Sequence, residues 1–270
     1  MIRHCKKICA LLIAAMLLVL SGCGQNKEEA AVVLEEGQSD LEYVKAKGTL
    51  VAGITDYAPL DYRNGEEWVG FDVELAKVFA ESIGVKLELK EIDWNEKTEL
   101  LEEGEIDCIW NGMTLTEELQ ETISCSQPYL SNAQVVVLQE GDKEQYQTVE
   151  SCQHLLFAVE EGSTGESLLK GMNYRYATYS TQREALQSVR EKKADAAAVD
   201  IIMASYFTGK GQEFADLDFS IFLNDEKIGV GFRKKSDLTE RANVILQTAY
   251  ENGTMLRLAG KYNIEEALKQ

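Results

Sequence analysis

Short apolar runs alternate with helix-like segments through the middle of this sequence, and this alternation constrains the fold most strongly. Runs typical of β-strands occur at residues 48–54, 85–92 and 106–110. Between them, apolar residues recur at helical spacing over residues 70–84 and 94–104, and each helical segment is closed by a glycine. The order β-α-β-α-β predicts a parallel sheet with crossover helices.

The same pattern begins again at residue 134, after an extended stretch. Strands are predicted at 134–138, 155–159, 174–179, 195–200, 221–222 and 227–232. Helices are predicted after 165, at 181–192 and at 201–208, followed by one that begins at 238 and a last one that ends near 262. The two halves contain units of the same kind without a detectable sequence repeat. An α/β protein with two similar halves is therefore expected.

The strand predicted at 106–110 runs into Asn111, Gly112 and Thr114. These residues predict a polar turn before a short helix. In open α/β sheets, ligands bind at the carboxyl ends of the strands. Thr114 has a second interpretation as the cap of that helix, because Glu117 follows at capping-box spacing. The two roles are compatible.

The N-terminus has the features of an export signal. Three cations, Arg3, Lys6 and Lys7, precede an apolar run at 8–20 that is short for a membrane span. The run ends in Leu-Ser-Gly-Cys, which resembles a bacterial lipobox and implies cleavage before Cys23 and a lipid on its sulfur. An ordinary signal peptide or an uncleaved anchor is the alternative. We expect a signal at 1–22 and a flexible tether at 23–40.

The charge of the chain excludes one class of partner. With a formal net charge of −19 it offers no basic face for nucleic acid. The acidity indicates either a solvated surface or a preference for cationic ligands. No phosphate-binding Gly-rich loop and no further membrane span are visible, and no metal or other cofactor is predicted.

Three cysteines remain once the signal and Cys23 are set aside: Cys108, Cys125 and Cys152. Their spacing is not that of a metal site. Cys108 and Cys125 lie on extended segments that we expect to be neighbours, so a disulfide between them is conceivable. Buried free thiols are the favoured interpretation.

Several short motifs occur in a fixed order along the chain. They are Gly48-Thr49-Leu50, Tyr57-Ala58-Pro59, GFDVELA at 70–76, Trp94, DCIWNGMTLT at 107–116, Ser126-Gln127-Pro128-Tyr129, Gly162-Ser163-Thr164, Ala194-Asp195-Ala196 with Asp200, and Gly253-Thr254. Together they resemble the extracytoplasmic solute-binding proteins of polar amino-acid ABC transporters, family 3. The resemblance covers nearly all of residues 41–263.

The resemblance implies a two-lobed, periplasmic-binding-protein-like (type II) α/β fold, each lobe a mainly parallel sheet flanked by helices. Lobe one would comprise 41–132 and 228–270, and lobe two 133–227. Segments near 131–134 and 224–227 would form the hinge, and the lobes would close on a ligand.

The resemblance also implies ligand-binding residues in the first half. Tyr57 and Trp94 match aromatic positions around the ligand side chain, where a ring offers apolar contact and a π face for a cation. Core packing is their alternative role. Asn111, Gly112 and Thr114 match positions that hold the ammonium and carboxylate of the ligand.

In the second half, Ser163 and Thr164 open a helix whose free N–H groups suit a carboxylate. Ser163 with Glu166 also fits a capping box, which needs no ligand. Asp200 matches the acid that pairs with the ligand ammonium, although an Asp at a strand end often caps the next helix. Glu160 lies next to this helix N-terminus and adds a further acid.

One position departs from the family pattern. Three residues after Thr116 the family has an arginine that binds the ligand carboxylate, and this chain has Leu119. Either another cation replaces it, with Arg63, Arg175 and Arg183 as candidates, or the ligand is a cation without a firmly held carboxylate, or the site is degenerate. We favour a cation-preferring cleft.

The expected function is that of a monomeric, lipid-anchored, extracytoplasmic binding subunit that delivers an amino acid or related small cationic solute to an ABC permease and its ATPase. A dehydratase-like enzyme on the same fold, with Glu160 as its acid, is the main alternative. A sensory module is disfavoured, because no membrane span follows before Gln270.

Overall fold

Residues 37–268 are described by the computed structural model. The predicted signal peptide, Cys23 and most of the tether lie outside this range. Within it, helix α1 (Asp40–Lys47) begins at the last residue assigned to the tether and is capped by the Ser39 hydroxyl. Asp40 is buried and forms a salt bridge of 3.1 Å with Arg233, which fixes this end of the chain to the first sheet.

The first sheet is built around the strands predicted in the first half. Strand β1 (Thr49–Ile54) pairs in parallel with β4 (Lys86–Glu91) on one side and with β5 (Cys108–Thr114) on the other. Helices α2 (Phe71–Ile83) and α3 (Lys97–Glu102) make the crossovers, as predicted. A hairpin of β2 (Tyr62–Asn64) and β3 (Glu67–Val69) stands apart from the sheet.

The remaining strands of the first sheet are antiparallel. Strand β13 (Glu226–Phe232) returns from the far end of the chain and pairs with β5, β6 (Ser124–Cys125) and β7 (Leu130–Asn132). The sheet order is β4-β1-β5-β13-β6, with β7 also on β13. Helix α4 (Glu117–Thr122) lies between β5 and β6 in the chain.

The second sheet has the order β10-β9-β11-β8-β12. Its strands are β8 (Gln134–Gln139), β9 (Leu156–Glu160), β10 (Arg175–Tyr179), β11 (Ala196–Asp200) and β12 (Leu217–Phe222). β9 pairs in parallel with β10 and β11, and β8 is antiparallel to β11 and β12. Helices α5 (Thr164–Gly171), α6 (Gln182–Arg190) and α7 (Ile201–Phe207) belong to this part, and α8 (Leu238–Glu251) and α9 (Thr254–Tyr262) follow β13.

The architecture is therefore the two-lobed α/β fold that the sequence predicts, but each sheet is mixed rather than mainly parallel. The chain passes from the first sheet to the second between Asn132 and Gln134, and returns between Phe222 and Glu226. The two passages lie side by side, because Asn132 and Glu226 are register partners in adjacent strands. No helix within residues 37–268 is long and apolar enough to cross a membrane.

The predicted turn at Asn111–Thr114 is wrong, because β5 continues through Thr114. Gly112 allows this, since its φ of +58° lets the strand change direction without ending. The buried Asp72 carboxylate then accepts a hydrogen bond of 2.7 Å from the Gly112 N–H. The register between β5 and β13 shifts at this point, as at a β-bulge.

The topology also decides between a disulfide and free thiols. Cys108 on β5 and Cys125 on β6 are not on neighbouring strands, because β13 runs between them. Two strand spacings of about 4.8 Å exceed the Cα separation that a disulfide tolerates. Cys108, Cys125 and Cys152 are free thiols, and Cys108 and Cys152 are buried.

Candidate functional site

All nine residues that the sequence predicts as ligand-binding line one cavity of about 540 Å³. The first sheet and its loops contribute Tyr57, Trp94, Asn111, Gly112 and Thr114, and the second sheet contributes Glu160, Ser163, Thr164 and Asp200. The carboxyl ends of β5, β9 and β11 thus open onto the same space, as expected for open α/β sheets. Trp110, which directly precedes Asn111 on β5, is a core residue packed against Phe79.

Asp200 ends β11 and is 5% exposed. It occupies the position before helix α7, but its side chain makes no capping hydrogen bond. Its carboxylate instead accepts hydrogen bonds from the side-chain amides of Asn132, Gln134 and Gln182. Three amide donors fix the carboxylate at the cavity wall.

Burial, and after it the nearby charge of Glu226, raises the pKa of Asp200 to about 7. Burial likewise raises the pKa of Glu160 to about 8, with the charge of Asp200 as the second cause. The two carboxyl groups therefore retain protons near neutral pH, and a bound cation would favour their ionised forms.

Tyr57 and Gly112 depend on each other. A Cβ added to Gly112 would overlap the Tyr57 ring and lie 2.8 Å from Leu60 Cδ1, so only glycine allows the ring this close. The Tyr57 hydroxyl has no hydrogen-bond partner among the described residues. Burial raises the pKa of Tyr57 well above its usual value, and the Asp200 charge adds to this effect. The Tyr57 phenol is therefore neutral near pH 7.

Asn111 joins two strand ends. Its side-chain oxygen accepts a hydrogen bond of 2.7 Å from the Thr55 N–H, and its amide donates to the Thr55 hydroxyl at 2.8 Å. Its side chain is therefore held by the scaffold and ties β5 to the residue that follows β1.

Thr114 does not cap the short helix, so that alternative is wrong. Thr116 is the N-cap and accepts from the Leu119 N–H at 3.1 Å. The Thr114 hydroxyl donates to Glu226 at 2.9 Å and links β5 to the returning strand.

Ser163 caps α5 as predicted, but Glu166 reaches back to Gly162 rather than to Ser163, so the capping box is only half formed. Ser163 accepts from the Glu166 N–H at 3.1 Å, and Glu166 accepts from the Gly162 N–H at 2.8 Å. The first N–H groups of any α-helix lack partners within it. Ser163 and Thr164 thus present a capped helix N-terminus to the cavity.

Lys97 was missed by the sequence analysis, yet it is the one cationic side chain among the described residues that line the cavity. It follows Trp94 by three residues, and its ammonium lies 4.6 Å from the centroid of that ring. The signal was present in the sequence, since residues three apart on a helical turn share a face. Burial lowers the pKa of Lys97, whereas the nearby charge of Glu160 opposes this effect.

Leu119 lines the cavity at the position where the family has arginine, and the three arginines proposed to replace it lie elsewhere. Arg63 and Arg183 line a different cavity and pair with Glu91 and Glu213. Arg175 is exposed on β10, the edge strand of the second sheet.

The charged residues of the cavity are unequal in sign. Glu102, Glu118, Glu160 and Asp200 face a single lysine among the described lining residues. No group of His, Cys, Asp and Glu suited to a metal ion occurs in residues 37–268. The cavity wall presents carboxyl groups, ring faces and a helix N-terminus.

The model of the bacterial extracellular solute-binding proteins, family 3, matches residues 50–265, and the chain belongs to this family. An arginine-binding extracellular protein, ArtP, of Bacillus subtilis is 27% identical over 265 residues, covering 95% of this chain and 98% of that protein. A crystal structure of a mutant of ArgBP from T. maritima superposes with a TM-score of 0.78 at 28% identity, covering 83% of this chain and 98% of that chain. The family resemblance predicted from the motifs is confirmed.

An enzyme is also among the relatives. Cyclohexadienyl dehydratase of Pseudomonas aeruginosa is 27% identical over 181 residues, which cover 65% of this chain and 68% of that protein. The fold therefore supports binding and catalysis in different relatives, and the residues of the site have to distinguish them.

Proposed function

We propose that this chain is the extracytoplasmic substrate-binding component of an ABC importer and captures an amino acid or a related small cationic solute. The observation that supports this most is the convergence of both sheets on one cavity with an excess of carboxyl groups and a fixed Asp200. The nine lining residues predicted from the sequence would contact the ligand.

Titration calorimetry of the purified chain against arginine, histidine, glutamine and glutamate tests this proposal. We expect the cationic amino acids to bind most tightly, because four carboxyl groups surround the cavity. Binding of glutamate alone, or of none of the four, would contradict it.

The proposal includes closure of the two lobes, 41–132 with 228–270 and 133–227, about the paired passages near Asn132 and Glu226. Small-angle scattering should then show a smaller radius of gyration when a ligand found by calorimetry is added. An unchanged radius at saturation would contradict closure.

Anchoring by a lipid on Cys23 also belongs to the proposal, on the basis of the Leu-Ser-Gly-Cys motif. Bacteria that express the chain should incorporate labelled fatty acid into it, and Cys23→Ala should abolish the label and release the protein from membranes. A chain that retains the label without Cys23 would refute this assignment.

A dehydratase is the second candidate, because Glu160 is buried and carries a raised pKa suited to a general acid. Turnover of prephenate-like acids by the purified chain would support it. We expect no turnover, since the carboxyl groups around the cavity disfavour a substrate of high negative charge.

A further inference from the structure

Lys97 differs from the other charged residues of the cavity in its setting. It lies in the first turn of α3, is only 8% exposed, and places its ammonium against the Trp94 ring. A buried charge is costly unless hydrogen bonds or an opposite charge compensate it. The partners of this ammonium therefore indicate its role.

Two carbonyl groups accept hydrogen bonds from the Lys97 ammonium. The Trp94 carbonyl, in the same turn, lies at 3.0 Å, and the Gly162 carbonyl, on the opposite side of the cavity, lies at 3.3 Å. An ammonium has three donors. Two are used, and no salt bridge to a carboxylate occurs within the described chain, so one donor remains for an acceptor in the cavity.

The N-terminal end of α5 adds a second positive field that would favour an anion near the Lys97 ammonium. Gly162 directly precedes Ser163 and Thr164, where α5 begins, so Lys97 and the positive end of this helix lie at the same part of the cavity. Glu160, the acid whose charge acts most strongly on Lys97, has its pKa raised to about 8 by burial and is largely neutral at pH 7, and Asp93 acts on the ammonium more weakly. The surroundings of the Lys97 ammonium thus favour an anion despite the acidity of the cavity as a whole.

We propose that Lys97 receives the carboxylate of the ligand, in place of the arginine that is absent at Leu119, and thereby selects α-amino acids over simple amines. Asp200, fixed by three amides, then takes the ammonium. This inference rests on the proposed function, because it concerns the ligand of the same cavity. It narrows that function to zwitterions whose two charged groups are held by opposite sides of the cleft.

The test compares amino acids with their decarboxylated amines, arginine with agmatine and histidine with histamine. The readout is the ratio of the amine Kd to the amino-acid Kd. Wild-type chain should prefer the amino acid. Lys97→Met should weaken amino-acid binding by at least about 30-fold, the lower range for truncating one partner of a buried charge pair, and change amine binding by less than about threefold.

Lys90→Met is the matched control. Lys90 is half-buried and pairs with Glu105 at 2.6 Å, outside the cavity, so the same substitution there should leave the ratio unchanged. Lys97→Arg should keep the preference for the amino acid because it keeps the charge. Lys97→Gln retains a donor for the Gly162 carbonyl but should lose the preference for the amino acid. It serves as the test variant if Lys97→Met does not unfold cooperatively on heating.

An unchanged ratio in Lys97→Met, or an equal loss of amino acid and amine, would overturn the inference while leaving the proposed function in place. Failure of the wild-type chain to bind any of the four probes would overturn both.

Discussion

On the side of the cavity built by the first sheet, the rings of Tyr57 and Trp94 and the ammonium of Lys97 line the wall, whereas the second sheet contributes the buried carboxyl groups of Glu160 and Asp200. The first side is held by close packing and backbone hydrogen bonds, as the contact of Tyr57 with Gly112 shows. The second side is held by side-chain amides around a charge. The first side therefore sets the shape of the cleft, and the second side supplies its buried carboxyl groups, although Glu102 and Glu118 of the first side also line the cavity.

Removing the charge of the second side should have the largest effect. Asp200→Asn keeps the size of the side chain and leaves the ligand ammonium without its carboxylate, so affinity should fall by about 2–5 kcal/mol. Calorimetry with arginine measures the loss. Asp195→Asn, at an exposed position before β11, is the matched control and should bind like the wild type. Equal affinities of wild type and Asp200→Asn would show that the ammonium lies elsewhere.

A change in the shape of the first side should have the second largest effect. Gly112→Ala places a Cβ in the space of the Tyr57 ring and at a positive φ, which should destabilise the fold by about 1–3 kcal/mol and weaken binding. Denaturant unfolding and calorimetry measure the two effects.

Gly84→Ala separates backbone strain from crowding. Gly84 also has a positive φ, but nothing lies within 4 Å of an added Cβ. This variant should lose stability without losing affinity. Similar affinity losses in both variants would contradict the role assigned to the ring.

A second cation on the first side should raise the affinity for α-amino acids and so test whether the first side contacts the ligand carboxylate. Leu119→Arg supplies a bidentate partner for a carboxylate at the position where the family has one. Affinity for α-amino acids should rise by about 1.4 kcal/mol, or tenfold, as measured by calorimetry. No gain would show that the ligand carboxylate does not reach this part of the cavity.

The pH dependence of stability should reveal the buried acids of the second side without any substitution. Burial raises the pKa of Glu160 to about 8 and that of Asp200 to about 7, so the folded chain retains protons that the unfolded chain releases above about pH 4. The free energy of unfolding should therefore fall as pH rises from 5 to 8.5, by at most about 1.4 kcal/mol per pH unit for each group.

Urea unfolding at pH 5.5 and pH 8.5 measures this difference. Glu160→Gln removes one of the two groups and should reduce the difference. A free energy of unfolding that rises with pH in the wild type would contradict the assignment.

The sequence predicted most of the fold because strand runs, glycine stops and helical spacing agreed along the chain. It also predicted the strand-end residues of the cavity, since parallel strands bring Glu160 and Asp200 to the same edge. The partners of Asp200 were not predictable in this way. Asn132 and Gln134 are 68 and 66 residues away, and no local pattern signals such contacts.

Two errors have local physical causes. Asn111-Gly112 is typical of a turn, but the hydrogen bond from the Gly112 N–H to Asp72 and the pairing with β13 keep the segment in the strand. Lys97 was overlooked because a lysine in a short helix is usually solvated. Its burial depends on the loop at Gly162, which comes 65 residues later in the chain.

Strand β13 lies between β5 and β6, so the last strand of the chain occupies an interior place in the first sheet. An emerging polypeptide can therefore pair all five strands of the second sheet, β8 to β12, before the first sheet acquires the strand that joins its two parts. The lobe encoded in the middle of the sequence is able to fold ahead of the lobe that begins it. Until residues 226–232 arrive, β5 exposes an unpaired edge, which is the point where the nascent chain is most open to non-native strand pairing.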